Sequence, residues 1–152
     1  NTNPKLQGFF NSNLTWKGLN LYMNFGYEMG AKQFNQTLAT KVEGADPKKN
    51  ADRRVLYDRW KKPGDLVRFK DIANAASTPM SSRFVQEENV LTLESVYLGY
   101  EFYDGWIQKL GLSNLKVQVS MRDVFRASSI KSERGISYPF ARSLEAGLSF
   151  NF

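Results

Sequence analysis

The feature that most constrains this chain is a two-residue hydrophobic period that returns in segment after segment. Near the end, Leu144, Ala146, Leu148, Phe150 and Phe152 alternate with Ser143, Glu145, Gly147, Ser149 and Asn151. Leu115, Val117, Val119 and Met121 alternate with Lys116, Gln118, Ser120 and Arg122. Leu19, Leu21, Met23, Phe25, Tyr27 and Met29 oppose Asn20, Tyr22, Asn24, Gly26, Glu28 and Gly30. Leu6, Phe10, Leu14 and Trp16 give a weaker version, and Val96, Leu98, Tyr100 and Phe102 carry it through the second half of Val90 to Phe102. Successive side chains of a strand point to opposite faces, so this pattern specifies strands with one apolar and one polar face. Five strands are expected, over roughly residues 5–16, 19–38, 90–102, 115–126 and 142–152. At about 11–13 residues, with the second longer, they exceed the ~5–6 typical of soluble sheets. They reach the ~9–11 residues that a tilted strand needs to cross a bilayer.

The connections alternate short and long. Lys17-Gly18 is a tight link. Tyr103 to Asn114 is intermediate, with room for a helical turn around Trp106 to Leu110. The segment from Thr40 to Asn89 is too long for a structureless loop inside a compact unit, so it is expected to be functional or partly folded. Asp46-Pro47 resembles an N-cap followed by Pro at the first helical position, and Pro63-Gly64 a stop, which predicts a short helix carrying Val55, Leu56 and Trp60. Outer-membrane barrels have short periplasmic turns and long outer loops. On that rule Lys17-Gly18 and Tyr103 to Asn114 are periplasmic, whereas the 40–89 loop and Ala127 to Ala141 are extracellular.

The residue inventory closes off other chemistry. With no cysteine and no histidine, the chain has no disulfide framework, thiolate metal site or Ser-His-Asp triad. No carboxylate pair suggests acid–base catalysis and no Gly-rich phosphate loop appears; neither an enzyme nor a cofactor is expected. No run of about 18 apolar residues would form a spanning helix. The chain opens on Asn1 without a leader, as expected of a mature exported chain, a fragment or one piece of a longer polypeptide. Aromatic residues make up 14% of a chain that is also 24% charged, which suits a wall with one greasy and one wet face.

The net charge is +6. Lys48, Lys49, Arg53, Arg54, Arg59, Lys61, Lys62, Arg68 and Lys70 cluster in the long loop among Asp46, Asp52, Asp58 and Asp65. The plain reading is a solvated loop face. The sharper ones are a site for lipopolysaccharide phosphates, an anionic substrate or nucleic acid. A soluble basic β module that binds nucleic acid is disfavoured by the regular apolar stripes. Arg59, Trp60, Lys61 and Lys62 are the loop residues singled out, with Trp60 either packing the loop's own core or meeting a sugar or peptide. Trp16 and Trp106, next to the short turns, read as members of an interfacial aromatic girdle. Lys116, Gln118, Arg122, Glu145 and Asn151 are expected to face a barrel interior, as a cross-strand ladder rather than as substrate contacts.

Several motifs also carry a resemblance. Glu145-x-Gly147-x-x-Phe150-x-Phe152 looks like the terminal signal by which the barrel-assembly machinery recognises outer-membrane proteins. Asn3-Pro4-Lys5-Leu6-Gln7-Gly8-Phe9, Trp16-Lys17-Gly18-Leu19 and Arg59-Trp60-Lys61-Lys62-Pro63-Gly64-Asp65 follow in order. Ser82-Arg83-Phe84-Val85 with Leu91 to Tyr100, then Tyr138-Pro139 and Arg142, complete the set. Together they resemble the C-terminal barrel segment of SusC/RagA-type TonB-dependent transporters, from Asn3 to Phe152. Arg122-Asp123-Val124-Phe125 departs from that family's Gln-Asn-Leu-Phe.

The resemblance implies an all-β fold: an antiparallel transmembrane barrel of 22 strands in the family, of which this chain holds the last five or so, with the plug domain lying elsewhere. It implies uptake of oligosaccharides or peptides across a Gram-negative outer membrane. The implied partners are a SusD-like lipoprotein, TonB acting through the missing plug, the remaining barrel strands and lipopolysaccharide, and not nucleic acid. The alternatives are a small self-contained barrel of the eight-stranded type, or a scaffold subunit of an outer-membrane complex.

Overall fold

The computed structural model describes residues 2–49, 52–103, 105–131 and 142–152. Five antiparallel strands form one sheet in sequence order: β1 Leu6–Trp16, β2 Leu19–Phe34, β3 Val85–Phe102, β4 Asn114–Ser128 and β5 Ser143–Asn151. Each strand pairs with the next, and β1 and β5 are the two edges.

Register turns five separate alternations into two continuous faces. One row runs Leu14, Leu21, Leu98, Val119, Ala146; the next runs Trp16, Leu19, Tyr100, Val117, Leu148. Farther up, Phe10, Phe25, Leu93 and Phe125 share a row, and the Phe10 and Phe25 rings stack at 4.6 Å. The other face reads Asn13, Tyr22, Tyr97, Ser120, Glu145 and then Thr15, Asn20, Gly99, Gln118, Gly147. A slip of one residue at any pairing would mix the two sets, so the patterning itself enforces the register. Among the described residues most of the apolar face is left open, with Trp16 64% exposed and Leu144 71%, although Trp106 of the segment after β3 meets Phe102 edge-on at 5.7 Å.

The β1–β2 hairpin closes on Lys17 (φ 44) and Gly18 (φ 85). Two central residues with positive φ make the tight turn whose twist matches that of the flanking strands. Gly18 O then accepts a hydrogen bond from Glu101 N at 2.8 Å, which ties the turn to β3. Irregularities line up across the sheet. Glu94 is an extra residue on β3 against Asn24/Phe25, and β4 has two residues, Asp123 and Val124, opposite Glu94. Bulges of this kind bend a sheet and raise its twist.

The long connection is folded. Leu38–Glu43 forms a π-helical turn, and Arg53–Leu56 and Ser82–Phe84 form 3-10 turns. Leu38, Val42, Val55, Phe69 and Phe84 make a small core, extended by Phe34, whose ring meets Phe84 edge-on at 5.9 Å.

The expected helix carrying Val55, Leu56 and Trp60 is corrected to the single turn Arg53–Leu56. Its cap is Asp52, whose side chain accepts from Arg54 N, and Trp60 lies outside it beside the extended pairing of Arg59 with Phe69. Asp58 at φ 61 reverses the chain between the two. The expected strand 19–38 stops at Phe34, because the Asn35 side chain accepts from Leu38 N and starts the π turn. The strand expected from residue 90 starts at Val85, where Val85 to Glu88 pair with the end of β2. Between β3 and β4, the helical turn α1 (Gly105–Gln108) buries Ile107.

Candidate functional site

The polar face of the sheet and the folded loop above it hold the chain's organised polar chemistry. Lys116, Gln118, Arg122, Glu145 and Asn151, singled out from sequence, share this one face by register. Lys116 Nζ lies 3.4 Å from Glu101 and 5.9 Å from the centre of the Tyr97 ring. Tyr97 Oη donates to Gln118 Oε1 at 3.0 Å. Two glycines make this packing possible. A Cβ at Gly99 would stand 2.8 Å from Tyr97 Oη, and one at Gly147 would stand 2.9 Å from Gln118 Nε2. Gly147 thus makes room for its neighbour's side chain. Asn151 contributes its carbonyl oxygen to Ser113 N at 2.8 Å. Arg122 sits in the row of Asn24 and Ser95, beside the line of bulges.

At the bulges the polar face opens into a cleft of about 960 Å³ lined by Glu88, Glu94, Arg122, Asp123, Arg126 and Lys131 among others. Asp123 has φ 52, a conformation that costs a non-glycine residue about 1–2 kcal/mol. Glu94, the extra residue, accepts from Asn24 Nδ2 at 3.1 Å. Glu88 meets Arg126 at 3.5 Å and accepts from Ser128 Oγ at 2.8 Å. Acids and bases are interleaved, so the cleft is polar without a dominant sign. No group of three or more Asp, Glu, His or Cys that could hold a metal comes together among the described residues.

The loop is held by buried polar hubs. The Glu43 side chain is 1% exposed, and its carboxylate meets Arg83 Nη2 at 2.6 Å, Lys70 N at 3.1 Å and Thr78 Oγ1 at 3.3 Å. Arg59 is buried as well. Its guanidinium donates to Val55 O at 2.8 Å, to Lys70 O at 2.9 Å and to Val42 O. Asn35 donates to Gln86 Oε1 at 2.8 Å and to Lys131 O at 3.5 Å, joining β2, β3 and the segment after β4. Asp52 pairs with Arg54 at 2.6 Å, and this hydrogen bond holds the Asp52 carboxyl below the usual carboxylate range, against an opposing push from burial.

The quartet picked from sequence therefore divides. Arg59 is an internal staple, Trp60 is partly exposed, and the Lys61 and Lys62 side chains are exposed while their backbone N–H groups both donate to Asp65 at 3.0 Å. Glu43, Asn35 and Arg83 were not singled out as functional or structural hubs. The only local signal was a glutamate directly after the apolar Leu38 and Val42 spacing. Tyr138 and Pro139, and the loop residues 132–141 to which they belong, lie outside the described residues.

A second concavity, about 560 Å³, lies between the loop and the top of the sheet. Tyr57, Phe69 and Val85 supply apolar surface, and Arg54, Arg68, Arg83 and Lys131 supply positive charge.

No family model and no curated protein matches the chain. Solved structures do. A chain of the RagAB peptide importer in its open-open state superposes with a TM-score of 0.72 at 17% identity, over 99% of this chain and 17% of that one. The closed-closed state gives 0.64 at 18% identity, over 86% and 14%. A further structure of the RagAB peptide transporter gives 0.66 at 17% identity, over 85% and 14%. The present chain thus spans about a sixth or less of the chains it resembles. Likeness at such identities establishes the fold alone: an antiparallel five-stranded sheet like one segment of those chains. No helix among the described residues is long and apolar enough to cross a membrane.

Proposed function

We propose that these residues form part of the wall of an outer-membrane transporter barrel that imports oligosaccharides or peptides. A SusD-like lipoprotein would serve as its surface partner, and TonB would drive it through a plug carried elsewhere in the assembly. The observation that carries this reading is the pair of continuous faces. Seven rows of side chains, from Leu6/Met29 down to Phe102, Leu115 and Phe150, contain no charged residue. An unpartnered apolar surface of this extent is unfavourable in water and favourable against lipid. Away from the bulges the residues of β2, β3 and β4 are paired with neighbouring strands, as hydrocarbon requires, but the outer edges of β1 and β5 are not. Five strands cannot close a barrel of the large transporter class, so other strands continue both edges.

In this reading Lys116, Gln118, Arg122, Glu145 and Asn151 line the interior, the short turns face the periplasm, and the folded loop faces outward near lipopolysaccharide and the lipoprotein. Glu145, Gly147, Phe150 and Phe152 place an amphipathic pattern on the edge strand β5. An edge of that kind is suited to templating by the barrel-assembly machinery.

Single cysteines test the wall directly: these residues contain none, and any cysteine elsewhere in the full polypeptide is first replaced by serine. In the full polypeptide in its native membrane, Leu98→Cys and Leu148→Cys should react only with membrane-permeant lipophilic maleimides. Gln118→Cys and Glu145→Cys should react with a charged, water-soluble one. Equal reaction of all four with the water-soluble reagent would refute the proposal.

A further inference from the structure

The concavity between loop and sheet has a chemistry that the barrel wall itself does not require. Two of the acidic partners, Glu43 and Asp52, stand behind the basic groups, while the third, Asp58, is half exposed in the groove lining. Glu43, which neutralises Arg83, is buried, whereas the Arg83 side chain is 44% exposed and lies 4.9 Å from the Phe84 ring centre. Asp52 takes two nitrogens of Arg54, whose third goes to Lys131 O. Arg68 is 75% exposed and only 3.8 Å from Asp58. Lys131 projects where this groove meets the larger cleft below, since it lines both. A visitor therefore meets guanidinium and ammonium donors first, with apolar surface from Tyr57 and Val85 between them.

We propose that this groove binds acidic oligopeptides, with side-chain or terminal carboxylates on Arg68, Arg83 and Lys131 and apolar side chains against Tyr57 and Val85. This deepens the transporter reading and rests on it, by naming the substrate class at the mouth of the polar face. Guanidinium forks match carboxylates bidentately and bind them more strongly than they bind neutral acceptors. A neutral oligosaccharide is a poorer occupant. Its hydroxyls need many acceptors, and the groove's side chains offer Asp58, the Tyr57 hydroxyl, a Ser129 hydroxyl already engaged with Asn89 N and Glu87 O, and a Gln86 whose Oε1 is taken by Asn35. The neutral cleft beneath lets the ligand move on, because strong attraction is confined to the entrance.

The test uses the full polypeptide in lipid nanodiscs and fluorescence anisotropy of a labelled hexapeptide mixing Asp, Glu and Leu, against its Asn/Gln isostere. The acidic peptide should bind about tenfold more tightly, a difference of about 1.4 kcal/mol, and the preference should shrink as salt rises. The double variant Arg68→Glu/Lys131→Glu should erase the preference; both side chains are exposed, so the fold is kept. The control Lys61→Glu/Lys62→Glu, on the same loop away from the groove, should leave it intact. Equal binding of the two peptides, or equal loss in the control, overturns the proposal. So does tighter, equally variant-sensitive binding of a phosphorylated lipopolysaccharide fragment, which would assign the groove to lipid. If no peptide binds while the cysteine pattern above holds, the groove proposal falls and the barrel wall stands.

Discussion

A single buried guanidinium shows how much of this chain's order rests on individual residues. Arg59 gathers carbonyl oxygens from three parts of the loop: the π turn at Val42, the 3-10 turn at Val55, and Lys70 beyond the reversal. Arg59→Met would keep most of the side chain's bulk and leave those carbonyls without their donor. An unmet buried acceptor costs about 1–3 kcal/mol. The loop should then open more readily, seen as faster amide exchange at Phe69 and Lys70 with the strands unchanged. Asp52 adds a pH dependence. Its carboxyl titrates below its ordinary value of 3.8 because Arg54 favours the ionised form. The stabilisation is therefore fully present above that value and is lost as pH falls through the lower folded-state value. Amide protection around Val55 should drop in acid below about pH 4, and Asp52→Asn should remove that acid-dependent step.

The strands could be read from sequence because their determinants are local: every second side chain is apolar, and a period needs no partner to be seen. Even the bulges left a trace. Leu91, Leu93, Val96 and Leu98 are spaced two, three and two apart, and the phase jump falls where Glu94 is extra. That is why β3 alternates cleanly only past the jump. The loop resisted reading for the opposite reason. Glu43 meets Arg83 forty residues later and Asn35 meets Lys131 ninety-six later, pairings that no spacing rule announces. Asp46-Pro47 has a local turn of its own, in which Lys48 N donates to Asp46 Oδ1 at 2.9 Å and Lys49 Nζ lies 3.6 Å from the carboxylate, but the helical turn that carries Val55 is capped by Asp52, which accepts from Arg54 N and Nη2. The β1–β2 hairpin lies between these extremes. Its glycine was visible, but the contact that makes glycine necessary is non-local: a Cβ at Gly18 would stand 2.5 Å from the Glu101 carbonyl oxygen, and φ there is +85. Gly18→Ala should therefore destabilise by more than the roughly 1 kcal/mol of conformational strain alone. Because the turn and the end of β3 must separate, it should lower the yield of folded barrel, as read by heat-modifiable migration. Lys17→Asn should raise it slightly, because asparagine tolerates the left-handed conformation that Lys17 adopts.

For the whole molecule, the question is which solvent each face meets. Met121 and Ser120 are neighbours on β4 and point to opposite faces. Met121 lies in the apolar row with Met23, Val96 and Leu144, and Ser120 in the polar row with Tyr97 and Glu145. If the apolar face meets hydrocarbon, Met121→Arg places a cation well inside it, away from the aromatic level marked by Trp16 and Tyr100. There the cost is about 2–4 kcal/mol. Ser120→Arg would instead gain Glu145 as an opposite charge on a wetted surface and should be close to neutral. A soluble sheet whose apolar face was covered by a protein partner would also suffer from Met121→Arg, so loss of folding alone does not discriminate. The discriminating quantity is the dependence on lipid. In refolding from urea into vesicles, the penalty of Met121→Arg should grow with acyl-chain length, because a thicker hydrocarbon layer moves the charge farther from water. Against a protein partner the penalty would be the same in every lipid.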